Sequence, residues 1–169
     1  LGGFAGIFDA LKATKNFGAN IYGSLNSIES ATSSSNYSGI ASSVIGTANR
    51  TANSNGALIF GAGNEITNSI TSISAPSSGG ASAQELQQTL MTSIKNSQSG
   101  GATLAIGGGN KADYTQKTSI IGVNNTVTGT SSNISQYNSV TGFNNTATNV
   151  DNTIVLGRTE PYLSCLIQL

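Results

Sequence analysis

The sequence predicts an all-β fold, a parallel β-solenoid stacked from coils of about 15 residues, with one helical insertion. Three observations predict it. A short apolar run ending in Gly recurs along the chain, and an Asn stands three places after nearly every such Gly. The glycines at 46 and 61, 107 and 122, and 142 and 157 lie 15 residues apart. Gly, Asn, Ser and Thr, the residues of turns and small polar columns, make up about half of the 169 residues.

The repeat units are Ile21-Tyr22-Gly23 with Asn26, Val44-Ile45-Gly46 with Asn49, and Ile59-Phe60-Gly61 with Asn64. They continue as Ala105-Ile106-Gly107 with Asn110, Ile120-Ile121-Gly122 with Asn125, and Val140-Thr141-Gly142 with Asn145. A seventh, Val155-Leu156-Gly157, has Glu160 at the Asn position. The remaining intervals of 23, 46 and 20 residues equal 15 plus 8, 31 and 5. One coil with insertions at its turns therefore accounts for every spacing.

Each unit reads as a short strand ending in Gly, a tight turn and a second short strand. The apolar residue of that second strand stands five places past the Gly: Ile28, Ile66, Ala112, Val127 and Ala147, with Thr51 the weak member. Gly supplies backbone conformations closed to other residues, and Asn tolerates the left-handed region while its amide bonds nearby backbone. Stacking at about 4.7–4.9 Å pairs successive coils as parallel strands. It also places the amides of Asn49 and Asn64, and of Asn125 and Asn145, to form ladders. A ladder supplied by every coil is read as structural rather than ligand-binding.

A 15-residue coil encloses little core, so its remaining apolar surface needs cover. Neighbouring residues of a strand point to opposite faces. One member of each apolar pair fills the coil, and Ile45, Phe60, Ile106, Ile121 and Leu156 on the outside would form a stripe that predicts subunit association. The sequence leaves open which member faces inward.

Composition excludes several function classes. There is no His, Cys165 is the single thiol, and Asp9, Glu29, Glu65, Glu85, Asp113, Asp151 and Glu160 stand singly. Metal and acid–base chemistry lose their usual groups, so neither an enzyme nor a bound cofactor is expected. With seven basic and seven acidic residues and no basic cluster, nucleic acid is not an expected partner. The 37% hydrophobic content and its regular placement argue against disorder. No apolar run has the length of a membrane span, and no secretory signal is recognisable. A chain opening on Leu1-Gly2-Gly3 reads as a fragment whose targeting information lies outside it.

The longest insertion, about 74–101, opens with Ala75-Pro76-Ser77-Ser78-Gly79-Gly80 and closes with Ser99-Gly100-Gly101. Between them, Ser82 and Glu85 have capping-box spacing and Leu86, Leu90 and Ile94 recur every four residues, predicting a helix of about 14 residues from Ala83. Packing against the roll or its symmetry mates is preferred to display as a recognition helix, because an isolated helix this short is marginal. The stretches 31–36 and 130–133 read as surface loops. Residues 1–18, with Phe4, Ile7, Phe8 and Leu11 at helical spacing, read as an N-terminal cap or remnant coil. Residues 19–158 form the roll, and 159–169 is a C-terminal cap or a tail foreign to it.

Asn-Tyr-Ser at 36, Asn-Arg-Thr at 49, Asn-Asn-Thr at 124 and 144, and Asn-Ile-Ser at 133 match the glycosylation sequon, as composition alone would produce. Gly107-Gly108-Gly109-Asn110-Lys111-Ala112-Asp113 lacks both the repeated acids of a calcium-binding nonapeptide and the Gly-Lys-Ser/Thr ending of a phosphate loop.

The segments Ser119-Ile120-Ile121-Gly122-Val123-Asn124-Asn125-Thr126-Val127, Asn138-Ser139-Val140-Thr141-Gly142-Phe143-Asn144-Asn145-Thr146-Ala147 and Asn152-Thr153-Ile154-Val155-Leu156-Gly157 resemble the head repeats of YadA-like trimeric autotransporter adhesins. The resemblance covers most of 19–158 outside the helical insertion. It implies a left-handed parallel β-roll, a homotrimer around one axis, and a place on the surface of a Gram-negative bacterium. It also implies attachment to host matrix proteins, host cells or other bacteria. The outer membrane would be reached only through a C-terminal anchor beyond this sequence. The 31-residue insertion and the run from Pro161 to Leu169 depart from the simplest heads.

The first functional expectation is therefore an adhesive head acting by multivalent attachment. The alternative is a structural fibre or spacer solenoid such as a phage tail-fibre segment. An ice-binding face ranks last, because the Thr residues do not fall in one clean column.

Overall fold

A computed structural model describes residues 18–29, 39–70, 82–96, 103–159 and 166–168. The first three coils contribute β1 (Asn20–Ser24) with β2 (Ser27–Glu29), β3 (Ser43–Thr47) with β4 (Arg50–Ala52), and β5 (Leu58–Ala62) with β6 (Glu65–Thr67). Helix α1 (Ala83–Asn96) follows. The fourth and fifth coils are β7 (Thr103–Gly108), β8 (Lys111–Asp113) and β9 (Thr115–Gln116), then β10 (Thr118–Val123), β11 (Thr126–Thr128) and β12 (Ser135–Gln136). The roll ends with β13 (Ser139–Phe143), β14 (Thr146–Thr148), β15 (Thr153–Arg158) and β16 (Leu166–Gln168).

The repeat phase becomes strand register. β1, β3, β5, β7, β10, β13 and β15 lie side by side in that order as a parallel sheet, and β16 adds to β15 antiparallel. A second parallel sheet stacks β2, β4, β6, β8, β11 and β14. Every repeat Gly pairs with the Gly of the next coil, from Gly23 through Gly46, Gly61, Gly107, Gly122 and Gly142 to Gly157. The 46-residue interval between Gly61 and Gly107 is thus one rung with a long excursion.

A coil has three sides rather than the two strands expected. Its third side carries the short pair β9 and β12 and a buried column of Ser54, Ser69, Thr115 and Ser135. Ser42, Thr103, Thr118, Asn138 and Thr153 lie buried beyond the following corner. These hydroxyls satisfy one another and the backbone: Ser69 Oγ and Thr103 Oγ1 each lie 2.8 Å from Thr115 Oγ1. Ser54 Oγ donates to Ala52 O at 2.9 Å. The apolar core occupies the other two sides. The first member of each apolar pair faces inward, with Val44, Ile59, Ala105, Ile120 and Val140 fully buried against Ile66, Ala112 and Val127. Each large aliphatic buried there contributes about 1.5–3 kcal/mol. Thr51 takes the place of an apolar residue in the second column, and its buried hydroxyl has no hydrogen-bond partner.

The insertions fall at two corners only. Gly129 N donates to Asp113 O and Ser135 N to Tyr114 O, so the chain leaves and rejoins the register around an exposed turn in which Thr130 and Asn133 exchange backbone bonds. The first insertion lies within 30–38, outside the described residues, as do the expected loop at 31–36 and all but the last residue of the N-terminal cap or remnant coil expected over 1–18. The third interrupts the coil between Ile70 and Thr103 and contains α1. The capping box is formed: Glu85 N donates to Ser82 Oγ and Ser82 N to Glu85 Oε2, which holds the Glu85 carboxyl below the ordinary range. Along α1, Leu86 is half-buried and Gln84, Glu85, Gln87 and Gln88 are exposed.

Candidate functional site

The Gly and Asn positions singled out in the sequence meet at one corner and build a single continuous ladder. Asn64 Nδ2 donates to Asn49 Oδ1 at 3.0 Å and to Gly107 O at 2.8 Å, and Asn64 N donates to the same Asn49 oxygen at 2.9 Å. The pattern runs from Asn26 through Asn49, Asn64, Asn110 and Asn125 to Asn145, where Nδ2 reaches Gly157 O. At the end of the column Thr159 Oγ1 donates to Asn145 Oδ1 at 3.1 Å, standing in for the missing seventh amide. From Asn49 to Asn145 the ladder side chains are buried and fully engaged with the protein. They are structural elements.

One expectation about this turn is corrected. The left-handed residue is the one before the ladder Asn, at Leu25, Ala48, Gly63, Gly109, Asn124 and Asn144, with φ between 54° and 66°. That leaves the Asn side chain free to point inward and bond the next coil. The repeat Gly is required for a different reason. At Gly61, φ is +143° and an added Cβ would lie 1.8 Å from Gly107 O. Of the sequons, Asn49 is sealed inside the ladder, whereas Asn124, Asn133 and Asn144 are exposed.

The surface available for interaction lies on the outer faces of the two long sheets, and they differ in chemistry. On the sheet containing β5 and β10, the second member of each pair faces out: Tyr22, Ile45, Phe60, Ile106, Ile121, Thr141 and Leu156 form one column by register. Phe60 is 55%, Ile121 40% and Leu156 53% exposed, while Ile45 and Ile106 are half-buried. Leu58 on one side and Val123 and Phe143 on the other widen the stripe. These three were missed, although the run Leu58-Ile59-Phe60 carries a signal: residues two apart on a strand share a face. Wholly parallel sheets are normally covered on both faces. The parallel strands of this sheet are filled on their inner face, and among the described residues the column on their outer face stays largely exposed.

The other outer face is polar. Arg50 bridges two coils, its Nη2 2.9 Å from Glu29 Oε2 and its Nη1 2.7 Å from Glu65 Oε1, and Lys111 Nζ lies 3.8 Å from Glu65 Oε2. The Arg50 guanidinium, and then the Ser27 hydroxyl, hold the Glu29 carboxyl below its ordinary range, while Glu29 and then Glu65 raise Arg50. Thr126, Thr128, Thr146 and Thr148 make a two-by-two block at the far end. The Thr array expected of an ice-ordering face stops there, because charged residues occupy most of the earlier rungs. No group of three or more His, Cys, Asp or Glu that could hold a metal occurs among the described residues.

Comparison of the chain with protein-family models, with curated proteins and with solved structures gives no match.

Proposed function

We propose that this chain is the adhesive head segment of a homotrimeric surface fibre, a left-handed roll whose three copies pack through the bare apolar face of the long sheet. The observation that carries the reading is the stripe of Tyr22, Ile45, Phe60, Ile106, Ile121 and Leu156, in register on six of the seven rungs, with Thr141 on the other. Covering such a face removes apolar area from water at about 25 cal/mol per Å². Association through it leaves the charged and Thr-bearing face turned outward. Three such faces on one fibre multiply a weak contact into stable attachment. The resemblance of the repeats to YadA-like heads supports the same reading and supplies the partners to test: matrix proteins, host cells and other bacteria.

The test is retention. Surfaces coated with the chain should hold cells or matrix proteins above the level of an unrelated trimeric solenoid. Equal retention over a panel of collagens, fibronectin, epithelial cells and bacteria would replace attachment by a passive fibre or spacer.

A further inference from the structure

We propose that Lys117 and Tyr137 form the centre of a groove that binds an acidic oligosaccharide. Six described corners that precede long-sheet strands are left-handed, and their column reads Gly18, Ala41, Gly56, Lys117, Tyr137 and Asn152. Gly and Asn enter that conformation at little cost, whereas a long or aromatic side chain there is disfavoured by about 1–2 kcal/mol. Lys117 at φ 48° and Tyr137 at φ 59° occupy it on adjacent rungs. Residues held this way point to a use beyond the turn itself.

The two side chains meet. Lys117 Nζ donates to Tyr137 Oη at 2.7 Å and lies 4.4 Å from the ring centroid. No carboxylate among the described residues pairs with this ammonium. Tyr137 is 51% exposed.

The pair sits between two open hollows that share Lys117. One, of about 550 Å³, is bounded by Leu58, Leu104, Thr103 and Ser119. The other, of about 520 Å³, is bounded by Ser139, Asn152 and Ile154. Together they run along the roll axis from the β5 rung to the β15 rung. At about 4.8 Å per rung that is roughly 19 Å, the length of a short oligosaccharide.

The chemistry selects the ligand. An ammonium with no carboxylate partner takes a carboxylate or sulfate, an aromatic ring face takes pyranose C–H groups, and the Ser and Asn side chains take hydroxyls. An extended peptide would need a free strand edge, and β7, β10 and β13 beneath the groove are paired on both sides.

This deepens the attachment reading by naming a ligand class, and it requires that the Leu58 edge of the long sheet, which lines the groove, lie outside the contact between copies. The experiment is titration at 150 mM salt, followed by backbone amide shifts, with four probes: a heparin-derived tetrasaccharide, tetragalacturonate, neutral maltotetraose and hexaglutamate. At least one acidic tetrasaccharide should bind saturably, with shifts confined to the groove residues of the five rungs from β5 to β15. Lys117→Asn, a residue the same corner already accepts at Asn152, should weaken that binding at least tenfold without lowering the thermal midpoint. Lys117→Gln, which keeps most of the side-chain length, should do the same. Absence of saturable binding by both acidic sugars, or unchanged affinity in both Lys117 variants, overturns the proposal. So does equal binding of maltotetraose or tighter binding of hexaglutamate. Sedimentation of the same samples reads assembly separately, so loss of the trimer and loss of the sugar site are distinguishable results.

Discussion

The Asn corner and the two other corners of the same coils respond differently to added residues. Six successive rungs pass the Asn corner without one extra residue, whereas every insertion, whether of 8, 31 or 5 residues, falls at the other two. The difference lies in where the polar groups point. At the Asn corner each amide is buried and bonded to the coils on both sides, so one added residue would break three rungs at once. At the corner after Gly129 the chain leaves and returns around an exposed turn in which Thr130 and Asn133 bond each other rather than a neighbouring coil.

The most severe way to break that contrast is Gly61→Ala, whose Cβ would lie 1.8 Å from Gly107 O. We expect loss of more than about 4 kcal/mol, or no folded protein, by denaturant unfolding. Gly157→Ala has nothing within 4 Å of its Cβ and keeps only the backbone strain of φ +112°. It should cost about 1–3 kcal/mol. Equal effects would show that conformation alone, and not the stacked carbonyl, demands Gly.

Asn64→Ala comes next. It removes two bonds from one amide and leaves Asn110 N and one of the two Asn110 Nδ2 hydrogens without an acceptor, while the other still reaches Gly122 O. At about 1–3 kcal/mol for each buried group left unsatisfied, a loss of roughly 3–6 kcal/mol is expected. By contrast, replacing 76–100 with a short Gly/Ser linker should leave the β-type circular dichroism intact. Collapse of that spectrum would place the helix within the folding unit.

The repeat made much of this legible. Its phase gave the coil length, the parallel register and the corners that hold the Asn side chains, because residues stacked at one rung spacing must be alike. The helix was legible through Ser82, Glu85 and Leu86. The third side was not, because Ser54, Ser69 and Thr115 read as solvent-facing loop residues in a chain where Ser and Thr are everywhere. Their burial follows from mutual hydrogen bonding, which only the closed coil reveals. The groove at Lys117 and Tyr137 was hidden for a related reason: 20 residues separate them, and an insertion obscures that they share a corner.

Smaller effects sharpen the contrast between buried polar groups that are paired and those that are not. Thr51→Val keeps the shape and removes the unpartnered hydroxyl, so it should stabilise the chain by about 1 kcal/mol in denaturant unfolding. The smallest effect belongs to the exposed Glu29–Arg50 pair. Because the folded Glu29 carboxyl lies below its ordinary value, its contribution is complete above about pH 4.3 and is lost as pH falls through the folded value. Solvent screening limits it to a few tenths of a kcal/mol, so Arg50→Gln should shift the acid unfolding midpoint only slightly.

The assembly of the long sheet's outer face is tested most directly by sedimentation equilibrium over a wide dilution series. The chain should sediment at three times its 17.0 kDa mass, and Phe60→Glu combined with Ile121→Glu should sediment as a monomer with its β-type spectrum retained. A wild-type chain that stays monomeric at every concentration would contradict the account.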